Sequence, residues 1–99
     1  MKASIEQIRK KIIPVMQQYG VKKAGLFGSW ARGESHPRSD IDILVEIVKD
    51  ISLFGFIELK LELEEVLGTH VDLVEYNTIK PLLRNRILKE EVVLYEERN

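Results

Sequence analysis

The chain contains no cysteine and only three prolines among its 99 residues. Without cysteine, the protein cannot use a disulfide scaffold, a thiolate zinc site or a cysteine nucleophile, and this composition is compatible with the cytosol. No apolar run approaches the roughly 20 residues that a membrane span requires, and the charged N-terminus lacks the apolar stretch of a secretory signal. We therefore expect a cytoplasmic protein with no membrane association.

The chain also lacks an excess of either charge, because 15 Lys and Arg residues balance 16 Asp and Glu residues for a net charge of −1. There is no basic stripe interleaved with aromatic residues, so we do not expect direct nucleic-acid binding. The 44% hydrophobic and 31% charged composition is typical of a folded globular chain. The length predicts one domain that covers residues 1–99.

Hydrophobic periodicity and turn residues predict an order of helix, strand, short helical turn, strand, helix, strand, helix and strand. This order is typical of a small α/β or α+β domain. Ser4 and Gln7 fit a capping box at the first helix, whereas Pro14 is expected to kink that helix or end it early. The predicted helices are 4–19, 52–67 and a segment capped by Asn77 and Thr78 that runs to about Leu88; the predicted strands are 21–27, 40–48, 71–76 and 92–95.

Two carboxylates lie at the start of the second predicted strand. Asp40 and Asp42 project from one face of that strand, where like charges repel and raise each other's pKa unless a cation lies between them. Magnesium is the natural cation because it prefers oxygen ligands. An Asp-x-Asp pair in isolation is more often a solvated strand face, but Asp72 interrupts the next apolar strand and also needs a compensating partner. Three such carboxylates could bind two divalent ions about 3.5–4 Å apart.

A glycine–serine pair follows the first predicted strand. Gly28 allows close approach of the backbone, and Ser29 can donate its hydroxyl to a phosphate oxygen at the start of a short helix. Arg32 and Arg38 lie in the same segment and could neutralise a triphosphate. Each feature alone is more often a capped turn or a solvated arginine, so their value as evidence comes from their combination.

This combination resembles the nucleotidyltransferase superfamily typified by DNA polymerase beta. Its pattern of Gly-Ser, about ten residues, Asp-x-Asp and a third acid on a later strand is matched by Gly28, Ser29, Asp40, Asp42 and Asp72. The stretches 26–33 and 39–45 resemble more narrowly the minimal nucleotidyltransferases, or MNT proteins, which are about the size of this chain.

The resemblance implies a nucleotidyltransferase fold, with a small mixed β-sheet and helices packed against one face. It implies two Mg²⁺ ions bound by Asp40, Asp42 and Asp72, and Asp72 also helps to deprotonate the attacking hydroxyl. Gly28 and Ser29 would hold the β- and γ-phosphates of ATP, with assistance from Arg32. Attack on the α-phosphate would transfer AMP and release pyrophosphate.

Many MNT proteins are antitoxins that transfer AMP to a tyrosine of a HEPN-domain ribonuclease toxin. The resemblance therefore implies a HEPN toxin as partner and a hetero-oligomer, with a homodimer as the state of the chain alone. Two alternatives stay open: a non-catalytic antitoxin that acts by docking, and transfer to a small hydroxylated molecule. A docking partner would need an exposed apolar patch, to which the helix at 54–67 or the segment 82–88 could contribute.

Overall fold

The computed structural model describes residues 4–34, 39–47 and 51–97. These residues form a four-stranded sheet and four α-helices, with a 3-10 turn at Tyr76–Thr78. The elements in chain order are α1 (Ile5–Gln18), β1 (Val21–Phe27), α2 (Gly28–Ala31), β2 (Ile41–Ile47), α3 (Leu53–Leu67), β3 (Val71–Glu75), α4 (Pro81–Glu90) and β4 (Val92–Glu96). In the part of the chain described, no helix is long and apolar enough to cross a membrane.

The sheet is mixed, which confirms the predicted fold class. Its strand order is β3-β2-β1-β4, with β2 parallel to β3 and β1 antiparallel to both of its neighbours. Helices α1 and α3 contact each other, and each contacts the sheet. The parallel pairing of β2 and β3 requires a crossover connection, and α3 supplies it.

One face of the sheet forms the hydrophobic core with α1 and α3. Along β2, Ile41, Ile43 and Val45 are all buried, as the alternation in the sequence predicts. They belong to one cluster with Leu59 and Leu63 of α3, which are also fully buried. The strand pattern therefore decides which side chains face the helices, and it sends Asp42 and Leu44 to the opposite face.

The opposite face is polar and carries one buried leucine. Leu44 is fully buried, and its register partner on β1 is Gly25. The Glu91 carboxyl lies against Gly25, where its Cδ would be 2.7 Å from an added β-carbon. The Tyr76 hydroxyl donates a hydrogen bond to Glu91, and the Lys23 ammonium lies 5.4 Å from the centre of the Tyr76 ring. A small polar cluster thus covers this part of the open face.

Helix α1 continues through Pro14, so the expectation of an early end was wrong. The helix runs to Gln18, and its N-terminal capping box of Ser4 and Gln7 is confirmed. Pro14 is exposed, while Ile12 and Val15 on either side of it are buried. Packing of these neighbours holds the chain helical, and the carbonyl that loses its partner can be hydrated on the solvent side.

The predicted start of the last helix was also wrong. Asn77 and Thr78 lie in the 3-10 turn, and the Thr78 hydroxyl donates to the Glu75 carbonyl over 2.9 Å. Helix α4 begins at Pro81, with Lys80 as its extended N-cap. A residue before proline is disfavoured in the helical region, so α4 cannot start earlier.

We expect Pro14→Ala to stabilise the protein. The change restores a helical hydrogen bond at an exposed position, and the gain should be reduced by the freedom that alanine adds to the unfolded chain. Urea unfolding should show a rise of about 1–2 kcal/mol in the free energy of unfolding. Gln17→Ala at an exposed position of the same helix is the control and should change stability by less than about 0.5 kcal/mol. An unchanged urea midpoint for Pro14→Ala would show that the proline does not destabilise this helix.

Candidate active site

Strand register places two predicted acids side by side. In the parallel pairing of β2 with β3, Asp42 lies directly opposite Asp72. Both side chains leave the open face of the sheet, because Ile41 and Ile43 beside Asp42 are directed into the core. The two carboxyl groups are close enough to share a hydrogen bond. Residues 30 positions apart are therefore brought together by a register that the core on the other face enforces.

Asp42 has a strongly perturbed acidity. The pKa of its carboxyl is raised from 3.8 to about 6, first by burial, then by the nearby charges of Asp72 and Asp40, with the Asp72 hydrogen bond acting in the same direction. The positive charge of Arg32 acts in the opposite direction. The like-charge repulsion is what the sequence predicted for closely spaced acids, whereas the larger effect of burial follows from the structure.

Gly28 makes the space that Asp42 occupies. It begins α2 directly after Phe27, which is the β1 register partner of Asp42. Its φ of +73° lies in the left-handed region, and an added β-carbon would be 3.0 Å from the Asp42 Cγ and closer still to a carboxylate oxygen. Both conformation and space therefore require glycine at this position.

The glycine turn leads into a compact segment that holds Ser29. The Arg32 amide donates to the Gly28 carbonyl over 3.1 Å, and the Glu34 amide donates to the Ser29 carbonyl over 2.9 Å. These bonds close the turn of α2 and place Ser29, half-buried, one residue beyond the glycine that touches Asp42. In the same turn the buried indole N–H of Trp30 has no hydrogen-bond partner within the described residues.

Arg32 is near the acids but is held by two glutamates. Its Nε lies 2.7 Å from a Glu34 carboxylate oxygen, and its Nη1 lies 3.1 Å from Glu90 at the end of α4. The hydrogen bond with Glu34, then that with Glu90, raises the pKa of Arg32 above its ordinary value. Arg32 therefore ties α2 to α4 while its charge reaches Asp42.

The structure brings together four of the predicted site residues: Gly28, Arg32, Asp42 and Asp72. Asp40 is exposed just before β2 and is near enough to influence Asp42. Within ranges 4–34, 39–47 and 51–97, no three acidic or histidine side chains converge as a formed metal centre. Arg38, the other arginine predicted to meet a triphosphate, lies outside the described residues.

Sequence reasoning missed several polar neighbours of this site. Glu90 pairs with Arg32, and Glu91 and Tyr76 meet above Gly25. Burial raises the pKa of the Glu91 carboxyl, an effect that the charge of Lys23 partly opposes. No spacing or motif links these positions, because Glu90 is 58 residues from Arg32 and Glu91 is 15 residues from Tyr76.

The donor set fits a hard divalent cation. Carboxylate oxygens are the ligands that Mg²⁺ prefers. Asp42 and Asp72 present such oxygens side by side on an accessible sheet face, and their mutual repulsion is what a cation between them would relieve. A pair of strand acids beside a glycine turn is therefore a site of the class that can bind a phosphate compound together with its metal ions.

The comparison with known families agrees with this class. Residues 10–99 match the family described as "Polymerase beta, Nucleotidyltransferase". The match covers nearly all of the chain, so this protein belongs to the polymerase beta-like nucleotidyltransferases. The resemblance inferred from the sequence motifs is thereby confirmed at the level of the family.

The chain is similar to proteins named for transfer of adenylyl groups to proteins. It is 54% identical over 89 residues to a Methanocaldococcus jannaschii protein assigned as a protein adenylyltransferase. The alignment covers 90% of this chain and 96% of that protein. It is 43% identical over 76 residues to the protein adenylyltransferase MntA of Thermococcus cleftensis, with 77% of each chain covered.

A solved structure shares the same fold. A chain of a toxin–antitoxin complex crystallised with AMP-PNP aligns with a TM-score of 0.77 and 27% identity. The alignment covers 91% of this chain and 74% of that one. The relation thus extends over the sheet and its helices as well as the motif residues.

The raised pKa of Asp42 predicts how stability depends on pH. Because its folded-state pKa of about 6 lies above the unfolded value of 3.8, metal-free protein should lose stability as pH rises through this window. Asp42→Asn should therefore unfold at higher urea than wild type at pH 7.5, by about 1 kcal/mol after allowance for solvent screening, and the difference should shrink towards pH 4.

The matched control for this measurement is Glu46→Gln, which neutralises an exposed acid on the same strand and the same face. Glu46 lies 3.7 Å from Lys22, so its removal should give no gain at pH 7.5. A stability gain that is constant from pH 4 to pH 7.5 for Asp42→Asn would contradict the assigned repulsion.

Gly28→Ala tests the space beside Asp42, with Gly33→Ala as its control. Both glycines have a φ of +73°, but an added β-carbon at Gly33 meets nothing within 4 Å. Each alanine should cost about 1 kcal/mol for its backbone conformation. Gly28→Ala should cost clearly more, because Asp42 must also move. Equal losses in the free energy of unfolding for the two variants, measured with urea, would contradict the steric role assigned to Gly28.

Proposed function

We propose that this chain is an antitoxin that transfers AMP from ATP to a hydroxyl of a HEPN ribonuclease toxin, with a tyrosine as the expected acceptor. The observation that carries the proposal is the register of Asp42 against Asp72, which places two acids on an open face beside the Gly28 turn. The family supports nucleotidyl transfer, and the relatives' names support a protein as the acceptor.

In this proposal the acids are the metal ligands. Asp40, Asp42 and Asp72 would hold two Mg²⁺ ions, which would supply positive charge to the phosphates and to the attacking oxygen. Asp42 is suited to this role because burial and two neighbouring acids make its negative charge costly without a cation. Asp40 lies immediately before β2, near enough for its charge to raise the pKa of Asp42.

The glycine turn and Arg32 would bind the triphosphate. Gly28 lets the backbone approach without a side chain in the way, and Ser29 supplies a hydroxyl donor directly after it. Arg32 already lies within electrostatic reach of Asp42. Its guanidinium could contact phosphate oxygens if they replace Glu34 or Glu90 as partners, since both carboxylates are accessible.

The transfer itself is a substitution at the α-phosphate. The acceptor oxygen forms a bond to the α-phosphorus, and the bond to the bridging oxygen of pyrophosphate breaks. The Asp72 carboxylate would accept the hydroxyl proton, because it is the more exposed acid of the pair and so the nearer to an incoming substrate. The products are an AMP ester of the acceptor and pyrophosphate.

A protein acceptor fits the open site that the described residues form. Within the described residues, the open face offers acids, a glycine turn and one polar cluster, but no second domain to enclose an acceptor. A folded partner could supply the reacting hydroxyl and one wall of the site. The AMP-PNP found with a related toxin–antitoxin complex supports an adenine nucleotide as the other substrate.

The test incubates the purified chain with ATP, Mg²⁺ and a HEPN-domain protein from the same genome, and then measures the intact mass of the partner. We expect an increase that corresponds to one or more AMP groups. The double variant Asp40→Asn with Asp42→Asn should lose transfer by a factor of about a thousand or more while it remains folded, because removal of charge stabilisation commonly has effects of that size.

Ser29→Ala separates phosphate binding from metal binding. It should weaken ATP binding several-fold in the presence of Mg²⁺, measured by the fluorescence of Trp30, which is the single tryptophan and the next residue in the chain.

Wild-type-level transfer by the double aspartate variant would refute the mechanism. ATP binding with no transfer to the partner would instead favour an antitoxin that acts by docking.

A further inference from the structure

Helix α4 is attached to the rest of the protein in an unusual way. None of its residues is buried, although it contains four large apolar side chains. Leu82 is 97% exposed and Leu83 is 46% exposed. Two hydrogen bonds tie the helix to the rest of the protein: Arg84 donates to the Tyr76 carbonyl over 2.9 Å, and Glu90 accepts from Arg32. A helix in a folded domain usually buries its apolar side chains, so this arrangement needs a reason.

The outward face of α4 is basic as well as apolar. Leu82, Arg86 and Lys89 are spaced by four and three residues, which places them on one side of the helix. The Arg86 side chain is 73% exposed, and its Nε lies 3.7 Å from a Glu90 carboxylate oxygen. We call the surface formed by Leu82, Arg86 and Lys89 the α4 face. Its chemistry is complementary to an apolar surface bordered by Asp or Glu side chains.

The C-terminal end of helix α4, which carries Lys89, lies at the rim of the candidate active site, and Leu82 lies at the other end of the helix. Helix α4 contacts α2, which begins at Gly28, and it also contacts β1. Glu90 at its C-terminal end is paired with Arg32, whose charge reaches Asp42. A protein that brings a hydroxyl to the open face of the sheet would therefore pass beside this helix.

A second exposed apolar surface lies on the other side of the protein. Leu53, Phe54, Ile57 and Leu61 are exposed on α3, whose buried residues Leu59 and Leu63 pack on the core face of the sheet. A partner docked there would be separated from the acids by the thickness of the sheet and of α3. This α3 surface is bordered by Glu58, Lys60 and Glu65, so it is less basic than the α4 face.

We propose that the α4 face is the docking surface for the protein that supplies the acceptor hydroxyl, and that the partner presents an acidic, apolar surface to it. The proposal rests on the proposed function for its choice of partner. It explains why a leucine and two cations are left in solvent on the helix that borders the site, and it assigns acceptor recognition to an element that the catalytic motif does not include.

The test compares Leu82→Glu and Arg86→Glu with the control Leu53→Glu. The first two place a negative charge on the α4 face, whereas the control makes the same change at an exposed leucine on α3. All three positions are exposed, so the fold should be retained and thermal unfolding should confirm it. The measured quantities are the Kd for a purified HEPN-domain protein of the same genome and the KM for that protein in AMP transfer.

We expect both α4 variants to raise the Kd and the KM about tenfold or more, with ATP binding unchanged and the Leu53→Glu values at wild type. A charge-reversed partner, with one interface acid changed to Lys, should recover binding to Arg86→Glu. Unchanged Kd and KM for the α4 variants, or an equal loss with Leu53→Glu, would overturn the proposal.

Two outcomes separate this proposal from the proposed function. If the partner binds through the α4 face but gains no AMP, the docking surface stands and the transfer activity fails. If AMP transfer occurs and is insensitive to the α4 variants, the activity stands and the docking surface fails. Binding of a labelled RNA oligonucleotide that is lost in Arg86→Glu, with binding of the HEPN protein unchanged, would show that the basic face serves nucleic acid and would overturn the proposal.

Discussion

The structure depends on holding two carboxylates together against their mutual repulsion. Asp42 and Asp72 meet because β2 and β3 run parallel in one register, and that register is enforced by apolar side chains on the other face. A slip of one residue would turn Ile41 and Ile43 towards solvent and the acids towards the core. Burial of the core therefore stabilises an arrangement that electrostatics alone would oppose, and the energy stored there is available to a cation.

The residues around Asp42 and Asp72 reduce the repulsion between the two carboxylates only in part. Arg32 brings a positive charge near Asp42, but its guanidinium is shared with Glu34 and Glu90. Gly28 leaves room for the Asp42 carboxyl and adds no counter-charge. The pKa of Asp42 consequently stays near 6, which is typical of a group whose environment suits a function better than it suits stability.

The two faces of the sheet have different tasks. One face is closed by α1 and α3 and supplies the stability of the fold. The other combines the acids, the glycine turn and the cluster of Tyr76 and Glu91, and it is bordered by a helix with no buried residue. Such a division leaves an open face on which a second protein could complete the site.

Much of this architecture was predictable because its causes are local in the sequence. The alternation in β2 predicts which side chains are buried, and Ser4 with Gln7 predicts the start of α1. The spacing of Gly28, Ser29, Asp40, Asp42 and Asp72 indicated the family. The start of α4 was missed although its cause is also local, since the effect of Pro81 on Lys80 outweighed the capping preference of Asn77 and Thr78.

The sequence by itself determined the order of the elements, the face of β2 that meets the helices and the identity of the acids, because backbone geometry and side-chain periodicity act over a few residues. Only the tertiary structure decided that Asp42 faces Asp72, that Arg32 is held by Glu90, and that Leu82 stays in solvent. These outcomes depend on how segments that are distant in the sequence pack against each other. Such ion pairs and exposed helix faces produce no periodic pattern in the sequence from which they could be predicted.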